Sequence, residues 1–351
     1  MKAVILAGGK GTRLRPLTYT KSKPMVPFMN KPVLQHIVER LRSADFDEVV
    51  ITTNYMPELI KKHFGDGGDL GIKIRHVMEE KPLGTAGSVK NTEKYIKDDT
   101  FMIVQGDNIS HIDLKKLADF HKEKAGIGTV SVMTVEDPSS FGIVKTDDDG
   151  RIHAYMEKPA PQEVFSNLAN TGIYVFEPEV LEHIPLSKYD FSFDLFPKLL
   201  KMEKKMYALP TEAYWRDIGK PHDYLNASHY MLGHINPNVN GKLHNTRLQD
   251  PIVVESGTTV SDSELSRSLI GKNCKITDSK IKDCVIGDNC VIKGATLNSS
   301  VLFQNVSIES GSDLMKCVVG KNTKIEEGVR VEHGTLIGDN CHIRDNSNIL
   351  A

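Results

Sequence analysis

The sequence predicts an α/β domain followed by a solenoid of short β-strands. Three observations carry this expectation. Up to about residue 232, short β-rich apolar stretches alternate with helical patterns. From about residue 251 the chain repeats itself, with an aliphatic residue returning every six positions. Between them, 233–250 is polar and turn-rich and reads as a linker. The 351 residues also exceed one ordinary core, so two domains are the natural expectation.

In the first half, Lys2–Leu6, 49–53, 72–77, Phe101–Gln105 and 129–135 have the composition of buried strands. A helix is expected from 32 to about 41, because Val33, Leu34, Ile37, Val38 and Leu41 fall on one face. Pro32 at its first turn suits a position whose N–H needs no partner. Strands alternating with helices imply a parallel sheet covered on both faces, with ligands at the carboxyl ends of its strands.

In the second half, Ile270-Gly271-Lys272-Asn273-Cys274-Lys275-Ile276 recurs from Ile286, Val319 and Ile337, at spacings of 16, 33 and 18 residues. The wide middle gap is about two periods. Six-residue spacing suits three short flat strands per coil, with small and aliphatic residues stacked inward. The pattern resembles the hexapeptide-repeat left-handed parallel β-helix over 251–351. It also accounts for the cysteines. Cys274, Cys290 and Cys341 share one repeat position and Cys284 and Cys317 another, as small buried wall residues would. No Cys-x-x-Cys pair suggests zinc, and five thiols without an export signal argue against a disulfide framework.

Composition excludes several classes of partner. With 44 basic and 46 acidic side chains the net charge is -2, which gives no footprint for nucleic acid or anionic lipid. No apolar run reaches the length of a membrane span. The short apolar start breaks into glycines at once, so it reads as a first strand rather than a signal peptide, and the cytoplasm is the expected location.

The chemistry concentrates after that first strand, in Leu6-Ala7-Gly8-Gly9-Lys10-Gly11-Thr12-Arg13-Leu14. Glycines there let backbone N–H groups approach phosphate oxygens. A Walker loop is excluded because Gly11 follows Lys10, and a dinucleotide fingerprint because Leu14 stands where its third glycine belongs. With Lys23-Pro24-Met25-Val26-Pro27, the segment resembles the signature of sugar-nucleotide pyrophosphorylases, the sugar-1-phosphate nucleotidyltransferases. The resemblance implies a Rossmann-like three-layer α/β catalytic domain over 1–232. It implies that Leu6, Ala7, Gly8, Gly9, Gly11 and Thr12 line the nucleotide while Arg13 and Lys23 hold its triphosphate. A fixed Arg and Lys would stabilise charge gathering around the α-phosphorus. Ser22 departs from the family, which usually has proline before the lysine, and is expected to loosen the loop.

Further segments follow in family order. Gln105-Gly106-Asp107-Asn108 and Trp215-Arg216-Asp217-Ile218-Gly219-Lys220-Pro221 each carry an aspartate that, by resemblance, binds Mg²⁺. A lone Asp after a strand is more often a cap or turn residue, but two inside family motifs favour the metal role. Mg²⁺ commonly takes one or two carboxylates plus substrate phosphates. The resemblance assigns the sugar phosphate to Asp107, Gly142, Glu157, Lys158, Asn170 and Thr171, with Glu157 accepting from sugar hydroxyls and Lys158 binding the phosphate. Taken alone, Glu157-Lys158 would be a solvated charge pair. The implied reaction is in-line attack of the sugar phosphate on the α-phosphorus of an NTP, with pyrophosphate leaving.

Glu79-Glu80-Lys81-Pro82-Leu83-Gly84-Thr85-Ala86-Gly87 resembles the base-binding loop, with Glu79, Pro82, Gly84 and Thr85 as nucleotide contacts. Guanine presents N1–H and an amino group side by side, which one carboxylate can accept together. Glu79 is therefore the expected guanine reader, with Glu80 as the fallback and a solvated acidic loop as the bland alternative. The loop and tail favour mannose-1-phosphate guanylyltransferase within the family. Gly106-Asp107-Asn108 is more like the thymidylyl enzymes, and glucose 1-phosphate with dTTP or UTP is the main rival. A non-catalytic regulatory relative would be expected to lose a metal aspartate or the phosphate lysine, yet Asp107, Asp217 and Lys23 are present. An acyl-transferring solenoid would need a catalytic histidine, and His333 and His342 read better as surface residues. A homo-oligomer through the β-helix is the expected assembly.

Overall fold

The computed structural model describes residues 1–350. Contacts between Cα atoms divide the chain into two compact units: Met1–Gly9 with Leu34–Trp215, and Lys10–Val33 with the chain from Arg216 onward. The loop after the first strand thus groups with the C-terminal half, a division that no linear reading of the sequence suggests.

The first unit is built on a mixed sheet. Lys2–Leu6 is an interior strand, parallel to Glu48–Thr53 on one side and Phe101–Gln105 on the other, and Lys73–Met78 extends the sheet beyond Glu48–Thr53. Every residue of Glu48–Thr53 is buried, as a strand covered on both faces requires. The helix Val33–Ser43 follows Pro32, and its apolar stripe Val33, Leu34, Ile37, Val38 and Leu41 is buried.

The rest of this sheet corrects the expectation of a parallel one. Leu168–Phe176 runs antiparallel to both Phe101–Gln105 and Gly128–Thr134. Gly142–Thr146 and Ile152–Glu157 form an antiparallel hairpin across 147–151. So short a turn cannot carry the crossover that a parallel pair needs. An aromatic cluster packs beside these strands, with Phe176 stacked on Phe191 at 5.7 Å and Phe196 tilted against Phe191 at 5.9 Å.

The second unit begins with the loop Lys10–Val33, continues with the helix Pro221–Leu232 and ends in a parallel β-helix. Tyr224 of the helix donates to the Pro27 carbonyl and meets Phe28 edge-on at 6.0 Å. Three walls form the solenoid. Strands Lys275–Thr277, Val291–Lys293, Ser307–Ile308, Lys324–Ile325 and His342–Ile343 stack in register along one wall. Corresponding ladders run from Lys280–Lys282 to Asn348–Ile349 and from Val285–Ile286 to Leu336–Ile337. Aliphatic residues from all three fill the interior.

Cys274, Cys284, Cys290 and Cys317 are buried among them, as their repeat positions predict, whereas Cys341 is only half-buried. Burial pushes the Cys284 and Cys317 thiols up to about 12, which leaves them protonated and unreactive.

Asparagines mark the corners. Asn273, Asn289, Asn305, Asn322 and Asn340 all adopt a left-handed backbone, a conformation this residue tolerates. Their amides form a ladder, each Nδ2 donating to the next Oδ1 at 2.8–3.4 Å. Asn305 belongs to the copy that the 33-residue gap concealed, where buried Phe303 replaces the glycine of the motif. The solenoid also starts earlier than the sequence suggests. Asn238–Val239, Lys242–His244 and Arg247–Val254 pair in parallel with the next coil, so the stretch read as a linker contributes its opening turn. Its polar, exposed residues disguise it, as expected of an end coil that covers only one side. No helix among the described residues is long and apolar enough to cross a membrane.

The coils leave no room for a side chain at Gly287, where a Cβ would stand 2.6 Å from Gln304 N and from the Phe303 carbonyl carbon. Gly287→Ala is expected to cost about 1–3 kcal/mol of stability in thermal or urea denaturation. A variant that melts like the parent would mean that neighbouring coils can spread.

Candidate active site

In the first unit, Lys2–Leu6 ends beneath the expected nucleotide loop. Leu6 accepts from Gly106 N at 3.0 Å, and Ala7 N donates to Thr52 O at 2.9 Å, so two flanking strands hold the start of the loop. A Cβ on Gly8 would lie 3.2 Å from Asn54 Oδ1, whereas Gly9 faces open space. A Cβ on Gly106 would stand 2.8 Å from Leu6 O, and this close approach brings Asp107 to the same sheet edge as Ala7. Asp107 is half-buried there, just past Phe101–Gln105.

Glu79 sits at the end of its own strand, with its N–H bonded to Thr53 O at 2.8 Å. Its side chain is 6% exposed. Oε2 accepts from Leu83 N at 3.3 Å, while Oε1 is buried without a hydrogen-bond partner. Glu80 is exposed. Gly84 and Thr85 have packing roles of their own. A Cβ on Gly84, at φ +72°, would stand 2.6 Å from Tyr189 O. Thr85 Oγ1 donates to Asp190 Oδ2 at 2.9 Å and accepts from Phe191 N at 3.0 Å. Much of Leu83-Gly84-Thr85-Ala86-Gly87 is therefore explained by its seat on residues 187–191.

The expected sugar side forms one connected network. Tyr155 OH donates to Glu157 Oε2 at 2.8 Å and lies 2.8 Å from Ser192 Oγ. Asn170 Nδ2 reaches Tyr155 OH at 3.3 Å and Tyr174 OH at 2.9 Å, while its Oδ1 accepts from Gly172 N at 2.8 Å. Burial, then neighbouring Tyr174 and Glu157, pushes the Tyr155 phenol far up, so it stays a donor to the carboxylate. Gly142 belongs to the same cluster because a Cβ there would stand 1.9 Å from Tyr155 OH and 2.6 Å from Glu157 Oε2. Lys158 follows with φ +49°, an uncommon backbone for a long side chain, and its head is exposed. Thr171 is not turned toward this network. Its hydroxyl is spent on Ser131 O at 2.9 Å, and its carbonyl accepts from Trp215 Nε1 at 2.9 Å. Tyr155 and Ser192 escaped the sequence reading. A signal existed for Tyr155, since it lies two residues before Glu157 on a strand and so shares its face.

In the second unit the predicted charges converge. Lys23 Nζ lies 2.6 Å from Asp217 Oδ1, and Arg13 NH2 lies 3.7 Å from Asp217 Oδ2. Lys23 is 6% exposed, against 59% for Arg13 and 39% for Asp217. Gly219 makes space, since a Cβ there would meet Arg13 NH2 at 2.6 Å. Gly11, at φ +69°, lies under Lys23 and Thr18, and Thr18 Oγ1 closes the loop by donating to Gly11 O at 2.7 Å. Thr12 and Arg13 open a short 3-10 turn anchored by buried Leu14. Ser22 has φ -70° and ψ 158°, a backbone that proline would also adopt, so the departure leaves the loop's path unchanged. Its buried hydroxyl finds no partner.

Residues 2–233 match the nucleotidyl transferase family, and residues 277–350 match the GMPPB C-terminal domain. A mannose-1-phosphate guanyltransferase of Aspergillus oryzae is 38% identical, covering 98% of this chain and 93% of its own. A UTP–glucose-1-phosphate uridylyltransferase of Synechocystis is 37% identical, covering 79% of this chain and 80% of its own. Among solved structures, HddC from Yersinia pseudotuberculosis is 30% identical with a TM-score of 0.57, covering 66% of this chain and 99% of its own.

Gly142→Ala should force Tyr155 or Glu157 aside and cost about 1–3 kcal/mol in thermal denaturation. An unshifted transition would show that the network yields freely. Ser22→Ala removes an unpartnered buried hydroxyl and is expected to be stabilising by about 1 kcal/mol in the same measurement.

Proposed function

Because this chain belongs to the nucleotidyl transferase family, we propose that it transfers a guanylyl group from GTP to mannose 1-phosphate, yielding GDP-mannose and pyrophosphate. A sugar phosphate oxygen forms the new bond to the α-phosphorus. The bond from that phosphorus to the bridging oxygen breaks, and pyrophosphate carries away the electron pair. No covalent enzyme intermediate is needed. Lys23 and Arg13 serve the triphosphate, and their charge answers the growing charge on the phosphoryl oxygens. Their present partner, Asp217, holds both cations in place and gives them up to phosphate as the nucleotide enters.

Mg²⁺ suits Asp217, an oxygen donor that is partly exposed, with Oδ1 2.6 Å from Lys23 and Oδ2 3.7 Å from Arg13. Among the described residues no three His, Cys, Asp or Glu side chains cluster to hold a metal. The family motifs assign a metal role to Asp217 and to Asp107, each considered in its own unit, and a cation held with substrate phosphates would draw charge from the leaving group. Glu157, oriented by Tyr155, accepts from sugar hydroxyls; Asn170 and Gly142 line the hexose, and exposed Lys158 takes its phosphate.

The observation that carries the guanine reading is the unpartnered Glu79 Oε1 in a buried carboxylate. Leaving such an oxygen unbonded is costly, and guanine's adjacent N1–H and amino donors would satisfy it. Uracil and thymine offer one N–H between two carbonyls and match an amide better. The uridylyltransferase relative keeps a second reading alive, with glucose 1-phosphate and UTP or dTTP as substrates. We also assign a homo-oligomer to the β-helix half, to be read from the mass in solution.

Pyrophosphate release with Mg²⁺ should be fastest for GTP with mannose 1-phosphate among pairings of that sugar or glucose 1-phosphate with GTP, dTTP, UTP, ATP and CTP. Glu79→Gln should lower kcat/KM for GTP by about 10- to 100-fold, and chelation should abolish turnover. Preference for UTP or dTTP with glucose 1-phosphate would sink the guanine reading and leave the enzyme class intact. Silence with every pair would point instead to a non-catalytic regulatory relative.

A further inference from the structure

The solenoid repeats a backbone cap. Asp288 Oδ1 accepts from Lys272 N at 2.7 Å, Asp339 Oδ1 from Lys321 N at 2.9 Å and Asp345 Oδ1 from Glu327 N at 3.0 Å. Gly271 and Gly320 make room for the first two, since a Cβ on either would stand 2.5 or 2.6 Å from the capping oxygen. One oxygen therefore does the structural work of the coil, and the other is spare.

Only at Asp339, among the described residues, is the spare oxygen taken by the phosphate loop. Its Oδ2 lies 2.6 Å from Lys21 Nζ and accepts from the Thr20 hydroxyl. The Asp339 side chain is fully buried and that of Lys21 is 10% exposed. Lys21 Nζ also reaches Leu17 O at 3.3 Å and Thr20 Oγ1 at 3.1 Å, and lies 5.4 Å from the centre of the Phe303 ring. A Cβ on Gly338, beside Asp339, would meet the Pro16 ring at 3.3 Å. Burial lowers the Lys21 pKa, and the hydrogen bond and charge of Asp339 work against that fall.

Lys21 and Lys23 flank fully buried, extended Ser22. Side chains alternate along an extended backbone, and Ser22 separates two lysines with different partners: Lys21 takes the last coils of the solenoid and Lys23 takes Asp217. A displacement of one lysine is therefore transmitted to the other through a single packed residue. A buried pair adds little net stability, because desolvation offsets its attraction, but it fixes geometry.

We propose that Lys21 and Asp339 are positioning residues for nucleotidyl transfer: the last solenoid coils hold the loop so that the Lys23 ammonium is aimed at the triphosphate. This rests on the assignment of Lys23 to the triphosphate. It makes the C-terminal half part of the catalytic apparatus without giving it a group that touches substrate.

The test uses the full-length chain, assayed well below each variant's melting temperature. Asp339→Asn can keep the Oδ1 cap and loses the carboxylate that Lys21 requires, while Asp288→Asn makes the same change in a coil without a lysine partner. Lys21→Met breaks the contact from the loop side and leaves the cap intact, which covers the case in which Asp339→Asn fails to fold. Asp339→Asn and Lys21→Met are expected to lower kcat/KM for the NTP about tenfold, with KM for the sugar phosphate unchanged and Asp288→Asn like the parent. In a Lys23→Met background, Asp339→Asn should cost nothing further. Kinetics of Asp339→Asn and Lys21→Met that match Asp288→Asn, with Lys23→Met impaired, would overturn the proposal alone. Full activity of Lys23→Met would overturn the assignment beneath it.

Discussion

The contact on which the second unit turns is the ion pair between Lys23 and Asp217, 2.6 Å apart and 194 residues distant in sequence. It ties the loop after the first strand to the strand before the long helix, and it sets a buried ammonium against a half-buried carboxylate. Several local features exist to permit it. Gly11 lets the loop pass beneath Lys23, Gly219 admits Arg13 to the same carboxylate, and Tyr224 fixes the loop's far end through the Pro27 carbonyl. An unpaired ammonium or carboxylate in that place would be expelled or neutralised. The arrangement is stable only as a set.

The α/β half was legible where periodicity is strong and less so where packing decides. Burial on both faces goes with the β-branched run Val49-Val50-Ile51-Thr52-Thr53, and one apolar stripe defines Val33–Ser43; such signals are local. The sense of the later strands is not local. It depends on whether a connection is a helix or a turn, and the 147–151 turn became evident only with its hairpin. The repeats announced the solenoid, yet Phe303 in place of a glycine hid one coil and polarity hid the first.

At the candidate site, motifs mark stretches of chain but do not apportion roles within them. Thr171 and Thr85 lie in motifs and spend their hydroxyls on Ser131 and Asp190. Gly84 is required by Tyr189 and Gly142 by Tyr155, so each glycine has a packing reason of its own, independent of any ligand. Tyr155 carries no motif, yet it orients Glu157. Residue type alone cannot distinguish a group that meets a ligand from one that makes space for the group that does.

The asparagine ladder has a consequence for how such a chain can change length. Each coil bonds its neighbours identically, so whole coils could be added or removed with little local cost. Two rungs are not interchangeable. Asn30 of the loop donates to Ile286 O at 2.8 Å, and Lys21 meets Asp339 three coils further on. A coil inserted between them would shift the later partner by about 4.8 Å, beyond the reach of a hydrogen bond. The loop therefore acts as a ruler, setting the number of coils between its two marks.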